Sequence, residues 1–249
     1  MSTGADKAAM LRSAQPRSSE HSSPCEACSI RELSLCGALE EHELGDIAAI
    51  TTGVELDHGD PLFDEGEPAR HVFSVTSGAV KVYKLLADGR RQMTGFLFPG
   101  DFLGLADEET YAYSAEAVTR SKLCRFPRRQ LQVLLERYPR MERRLLTMAS
   151  HELAAAQEQM LLLGRKTARE KIASFLLMLS RRAELRGLEA NPVEVPMSRN
   201  DIGDYLGLTT ETVSRTFTQL KHGGHIRLLP GGRVELVDRH GLRGISEGG

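Results

Sequence analysis

The sequence predicts an α+β chain: an N-terminal β-roll of jelly-roll type, then a long α-helix, then a C-terminal winged helix-turn-helix. Three observations carry that prediction. Residues 54–126 are short β-prone runs broken by glycine. From Pro127 to Arg186 glycine nearly disappears and apolar residues recur at helical steps. Beyond Ser198 the order is helix cap, glycine turn, second helix, paired glycines and a β-hairpin. The chain has 249 residues, room for one large domain or two ordinary ones, and its 41% hydrophobic and 27% charged residues are those of a soluble globular protein. It contains no apolar run long enough to span a membrane. The first 23 residues are polar and lack a signal-type apolar stretch, which reads as a flexible tail on a cytoplasmic protein. The expected divisions are a tail at 1–23, a cysteine segment and β-roll at 24–126, a helical region at 127–164 and the helix-turn-helix domain at 165–249.

Three of the four cysteines fall in the C-x2-C-x7-C cluster Cys25, Cys28 and Cys36, and the fourth is the distant Cys124. In a reducing compartment such thiols are more often metal ligands or sensors than disulfides. Thiolate sulfur suits zinc or an iron–sulfur centre equally, and spacing does not separate the two; unliganded or thiol-sensing cysteines are a further alternative. A short helix is expected at residues 40–50. In the β-region, turns are expected at Ser77-Gly78 and Asp88-Gly89, with breaks at Gly59, Gly66, Pro99-Gly100 and Gly104.

In the helical region Leu146, Ala149, Leu153, Ala156, Met160 and Leu163 recur at alternating steps of three and four. This is an a/d seam that can pair with a second copy of itself. The alternative is packing on the β-domain, but Leu161 and Leu162 supply a separate apolar face for that purpose. Residues 187–196 read as a linker. Ser198 and Asp201 form a capping box, Gly207 breaks the helix, Thr209 caps the next one, and Gly223-Gly224 ends it. A hairpin is expected at residues 225–237 around Pro230-Gly-Gly232.

On the second helix, Val213, Phe217 and Leu220 share the inward face. Glu211, Ser214 and Arg215 share the outward face near the helix N-terminus, the end a helix-turn-helix presents to base edges. Arginine can grip guanine O6 and N7, glutamate can accept from cytosine N4, and serine can meet a base or phosphate. An exposed i,i+4 ion pair between Glu211 and Arg215 is the plainer alternative. The charge balance leans the same way: from residue 165 onward, fourteen Lys and Arg face ten Asp and Glu, leaving eighteen against twenty-four before it.

The segment from Asp201 to Arg215, DIGDYLGLTTETVSR, resembles the helix-turn-helix of the CRP/FNR superfamily of bacterial regulators. The likeness extends from Cys25 to about Val237. It implies a β-roll sensor domain, a dimerisation helix and DNA binding as a homodimer. The FNR branch reads TTGAT half-sites, with reading residues that match Glu211, Ser214 and Arg215. Where cyclic-AMP-responsive relatives have an arginine, this chain has Thr210, whose methyl group suits thymine. The cysteine spacing resembles the FNR-type [4Fe-4S] site, which makes Cys25, Cys28, Cys36 and Cys124 its four ligands; structural zinc is the alternative. The likeness also implies contact with RNA polymerase through loops such as residues 86–90. Cyclic nucleotide is not expected, because no Lys or Arg lies between Gly100 and Val118, whereas Asp107, Glu108 and Glu109 do. Ala156 stands where the best-studied members carry an aspartate that keeps cluster-free protein monomeric. No HExxH, Walker A, GxSxG or paired catalytic carboxylate pattern marks an enzyme.

Overall fold

The computed structural model describes residue 25 and residues 28–105 and 109–248. The tail expected at 1–23 and the acidic residues Asp107 and Glu108 lie outside them. The helix expected near residue 40 is a 3-10 turn, Glu41–Glu43, running into α1 (Leu44–Ile50).

Eight strands follow among the described residues: β1 (Thr52–Leu56), β2 (Pro61–Phe63), β3 (His71–Ser77), β4 (Val80–Leu85), β5 (Arg91–Leu97), β6 (Phe102–Leu103), β7 (Ser114–Ala117) and β8 (Ser121–Pro127). They form two antiparallel sheets, ordered β1-β8-β3-β6 and β2-β7-β4-β5. Side chains alternate across each strand. Phe73, Val75 and Leu123 therefore point inward to meet Phe63, Val80, Val82, Leu97 and Ala115 of the other sheet. The Asp88-Gly89 turn closes a true β4–β5 hairpin, with the Leu86 amide donating to Arg90 O at 2.8 Å. The Ser77-Gly78 turn is different: it carries the chain from one sheet to the other. β3 already has β8 and β6 on its two edges, so β4 pairs with β5 and β7 instead.

The outward faces are covered by different partners. Val72 and Phe126 of the first sheet pack with Cys25, Leu35, Leu39, Leu44 and Ile47 of the N-terminal segment. Tyr83, Met93 and Phe96 of the second sheet join the core of the C-terminal domain. The roll is thus sandwiched between the cysteine segment and the helix-turn-helix domain.

The helical stretch divides into α2 (Arg128–Arg137), α3 (Pro139–Arg165) and α4 (Ala168–Leu185). The first break precedes Pro139, which disfavours helical backbone at Tyr138. The second is a capping box in which Thr167 Oγ1 accepts from the Glu170 amide. At 27 residues α3 is about 40 Å long.

The C-terminal domain continues with β9 (Val193–Glu194), α5 (Arg199–Leu206), α6 (Thr210–His222), β10 (Ile226–Leu229), β11 (Arg233–Leu236) and α7 (Arg239–Ser246). The hairpin is as expected, with Pro230–Gly232 at its turn. The segment read as a linker is more than that: β9 pairs with β11 and makes the wing three-stranded. The helix α7, not expected from the sequence, buries Leu242 and Ile245 beside α4.

Two polar joints hold this domain to the roll. Lys81 Nζ, on the outward face of β4, lies 2.9 Å from Glu116 and 3.0 Å from Asp201, all three largely buried. Burial lowers the lysine's affinity for its proton, but hydrogen bonds and charge from the two carboxylates outweigh it and hold the pKa above the usual range. Asp201 shifts the other way: burial raises it, while Ser198 and Lys81 bring it below the usual value. At the second joint Asp101 receives Arg182 at 2.7 Å and Arg186 at 2.8 Å, while both guanidinium groups lie over the Phe98 ring.

Candidate DNA-reading helix, cysteine site and dimer seam

The helix-turn-helix is built by local signals. Ser198 Oγ accepts from the Asp201 amide at 3.0 Å, and Asp201 Oδ2 accepts from the Ser198 amide at 3.2 Å. Gly207 then ends α5 at φ 63°, a left-handed conformation suited to glycine. Gly203 permits the close turn, since a Cβ there would lie 2.6 Å from Leu208 O. Thr209 Oγ1 caps α6 by accepting from the Thr212 amide at 3.1 Å. Val213, Phe217 and Leu220 are buried as expected. Phe217 is also covered by the guanidinium of Arg199, 3.4 Å from its ring centroid, which clamps α5 onto α6. That role was not legible in advance, because only the fold brings the two helices together.

Thr210, Glu211, Ser214 and Arg215 are all exposed. Ser214 Oγ donates to Thr210 O at 2.9 Å, and Thr210 Oγ1 donates to Asn200 at 3.1 Å. Among the described residues no ion pair joins Glu211 to Arg215, so the i,i+4 pairing does not form and both side chains are left to meet a ligand.

The four cysteines converge, although Cys124 is far from the rest in sequence. They are in the thiol form; Cys25 is buried and the others half-buried. Cys36 sits in a 3-10 turn held by Ser34 Oγ, which accepts the Cys36 amide at 3.3 Å. Cys124 lies mid-strand on β8, on the outward face beneath the N-terminal segment, in one apolar cluster with Cys25 and Cys36. Burial, then the neighbouring Cys25, push the Cys36 thiol up to about 12, with further contributions from Cys124 and Cys28. Burial, then Cys25 and Cys28, raise Cys124 to about 11. Among the described residues no three His, Cys, Asp or Glu side chains close tightly enough to hold a metal ion. The thiols are therefore neighbours in one packed cluster, not a finished cage.

One further atom bears on what the cluster suits. Ser74 faces Cys124 across the β3–β8 ladder, is 3% exposed, and its Oγ is buried without a hydrogen-bond partner among the described residues. A buried donor with no acceptor is rare and calls for an explanation. Soft sulfur donors gathered here, with the Cys36 and Cys124 thiols held high by burial, beside an orphan hydroxyl donor fit a cationic, sulfur-seeking centre.

On α3, Leu146, Leu153 and Met160 are 61%, 61% and 64% exposed, and Ala149 and Ala156 are exposed between them. Leu163 departs from the row: it is half-buried, and its Cδ2 lies 3.4 Å from where a Cβ on Gly207 would sit. Leu162 packs on the C-terminal core, as expected of the second face; the Leu161 side chain lies outside the described residues. Among the described residues no helix is long and apolar enough to cross a membrane.

Comparison with known proteins gives a consistent picture. Residues 54–138 match the family described as cyclic nucleotide-binding domain, and residues 170–245 the Crp-like helix-turn-helix domain. The chain is 43% identical over 216 residues to the transcriptional activatory protein AadR of Rhodopseudomonas palustris, covering 86% of this chain and 90% of that one. It is 39% identical over 227 residues to the transcriptional activator protein anr of Pseudomonas aeruginosa, covering 90% and 93%. The solved structure of FixK2 from Bradyrhizobium japonicum aligns with a TM-score of 0.73 at 39% identity, over 79% of this chain and 97% of that one. The chain therefore belongs to the CRP/FNR family, whose members are DNA-binding, dimer-forming transcription regulators and not enzymes.

Proposed function

We propose that this protein is an oxygen-responsive, cytoplasmic transcription activator. Its Cys25, Cys28, Cys36 and Cys124 would hold a [4Fe-4S] cluster, and its homodimer would bind a TTGAT palindrome in front of RNA polymerase. The observation that carries the reading is that the sequence-distant Cys124 meets Cys25 and Cys36 in one cluster, with Cys28 close by, beside the orphan Ser74 hydroxyl. When bound, such a cluster supplies an oxygen-labile centre whose loss is the signal. The chain's own residues supply the rest. Arg140 of α3 holds Glu43 of the N-terminal segment at 2.9 Å, and Arg144 donates to Glu32 O at 2.6 Å. These contacts tie the cysteine segment to the turns of α3 immediately before the seam residue Leu146. Ordering that segment thereby bears on the seam formed by Leu146, Ala149, Leu153, Ala156 and Met160, with Leu163 at its end. The seam in turn spaces the two α6 helices on a two-fold site.

At the DNA, Arg215 takes a guanine edge, Glu211 a cytosine amine, Ser214 a base or phosphate, and the Thr210 methyl a thymine. Cyclic nucleotide is excluded from this reading: the stretch from Gly100 to Val118 offers no cation, and Asp101 is already engaged by Arg182 and Arg186.

The test is purification without air, iron and sulfide analysis, and band-shift on a TTGAT palindrome before and after exposure to air. A brown protein with about four irons per chain, losing colour and site affinity together in air, is expected. Colourless protein containing zinc points to the structural-metal alternative. Protein that holds its site equally in nitrogen and air overturns the oxygen reading.

A further inference from the structure

A cleft of about 540 Å³ opens at one end of the β-roll interior, between the edge strands β1 and β2 of the two sheets. Its floor is apolar and aromatic. Phe63 and Tyr111 stack with centroids 3.8 Å apart, Phe73 lies 5.7 Å from Phe63, and Val54, Leu56 and Leu62 complete the wall. Its rim is cationic. Arg70, His71 and Arg125 line it, against the single carboxylate of Glu67.

Arg125 is the unexpected residue. It lies two positions from the core residue Leu123, opposite Thr52 on β1 and Phe73 on β3, on the inward face of the sandwich. Alternation of the strand calls for an apolar side chain there. Its Nε donates to Thr52 Oγ1 at 3.0 Å, and no ion pair among the described residues engages Arg125, Arg70 or His71. The rim's positive charge is that of the two arginines: burial, then Arg125 and Arg70, hold His71 below its usual pKa and favour its neutral form. Uncompensated positive charge around a desolvated apolar floor is the pattern of a site for an anion with an apolar body.

We infer that this cleft binds a small apolar monocarboxylate, its ring or chain on Phe63, Phe73 and Tyr111 and its carboxylate between Arg125 and Arg70. The inference does not depend on a metal centre. The cleft is also separate from the stretch where a cyclic nucleotide would be sought, touching residues 100–118 only at Tyr111. A folded acidic peptide would use the rim but not the floor, so the aromatic stack favours the small molecule.

The experiment titrates the full-length protein by calorimetry with benzoate and octanoate, and in parallel with the neutral benzamide and octanamide. Saturable binding of a carboxylate, weaker by about tenfold or more for its amide and for the Arg70→Gln and Arg125→Gln proteins, is expected from loss of charge-assisted hydrogen bonds. Arg70 is exposed, so its variant keeps the test open should Arg125→Gln fail to fold. Equal binding of acid and amide, no saturation at millimolar ligand, or binding of a glutamate-rich peptide in preference to both acids would each overturn the inference.

Discussion

The reading of DNA rests on a handful of side chains whose freedom is a local matter. Arg215 is exposed and has no carboxylate partner among the described residues, so it can give two N–H groups to one base. Arg215→Ala should cost about 1–3 kcal/mol on the palindrome and relax discrimination at the guanine, while salt-sensitive binding to unrelated DNA persists. Competition band-shifts with the guanine replaced check this; unchanged discrimination removes Arg215 from the readers. Ser74 offers a complementary test. Its hydroxyl is buried without a partner among the described residues, so Ser74→Ala should leave the cluster-free protein as stable or slightly more stable in urea. With the cluster loaded, the same change should hasten loss of visible absorbance in air, because a sulfur loses its donor. A cluster-free variant less stable by about 1 kcal/mol or more would mean that the hydroxyl already has a protein partner.

Helix α3 has two loyalties along its length. Its first turns are bound to the cysteine segment through Arg140 and Arg144, and its last turns to the helix-turn-helix through Leu162, Leu163 and a Gln159 Nε2 contact with Tyr205 O at 3.4 Å. Between them the exposed stripe from Leu146 to Met160 has no partner among the described residues of the protomer, and an apolar stripe of that length asks for a second copy. Ala156 lies in the middle of it. A small neutral residue there lets two helices approach with no charge repulsion, so dimers should persist without the cluster. Ala156→Asp should weaken the cluster-free dimer far more than the loaded one, as read by sedimentation equilibrium. Equal dimerisation constants in the two states of the variant would refute the account.

The joint between roll and DNA-binding domain unites what the sequence keeps apart. Asp101 holds Arg182 and Arg186, Arg182 Nη1 donates to Phe96 O at 3.0 Å, and Arg186 Nε to Pro99 O at 2.9 Å. The recognition helix is therefore oriented against a sheet of the sensor roll and not hung from a free linker. Asp101→Ala leaves two partly buried guanidinium groups without their carboxylate and should destabilise the chain by about 2–4 kcal/mol. It should also speed proteolysis between α3 and α4. Denaturant unfolding and limited digestion measure the two effects; an unchanged midpoint together with an unchanged digestion rate would show that the joint contributes nothing.

Much of this molecule could be read along the chain because its signals are short-range. Caps at Ser198 and Thr209, the left-handed Gly207, the Asp88-Gly89 turn and the 3.5-residue seam each depend on neighbours within a few residues. The inward Val213, Phe217 and Leu220, and the outward Thr210, Glu211, Ser214 and Arg215, follow from helical periodicity alone. Other features depend on contacts between residues far apart in sequence, which no local pattern encodes. The pairing of β9 with the wing, the docking of α7, the crossing from β3 to β4 between sheets, and the Asp101 and Lys81 joints are of that kind. The cysteines lie between the two cases: their spacing raised the expectation of a soft-metal site, but only packing of the N-terminal segment on the outer face of β8 brought Cys124 beside the other three. Local order is set by backbone sterics and nearby hydrogen bonds, whereas burial is set by which distant surfaces exclude water from each other.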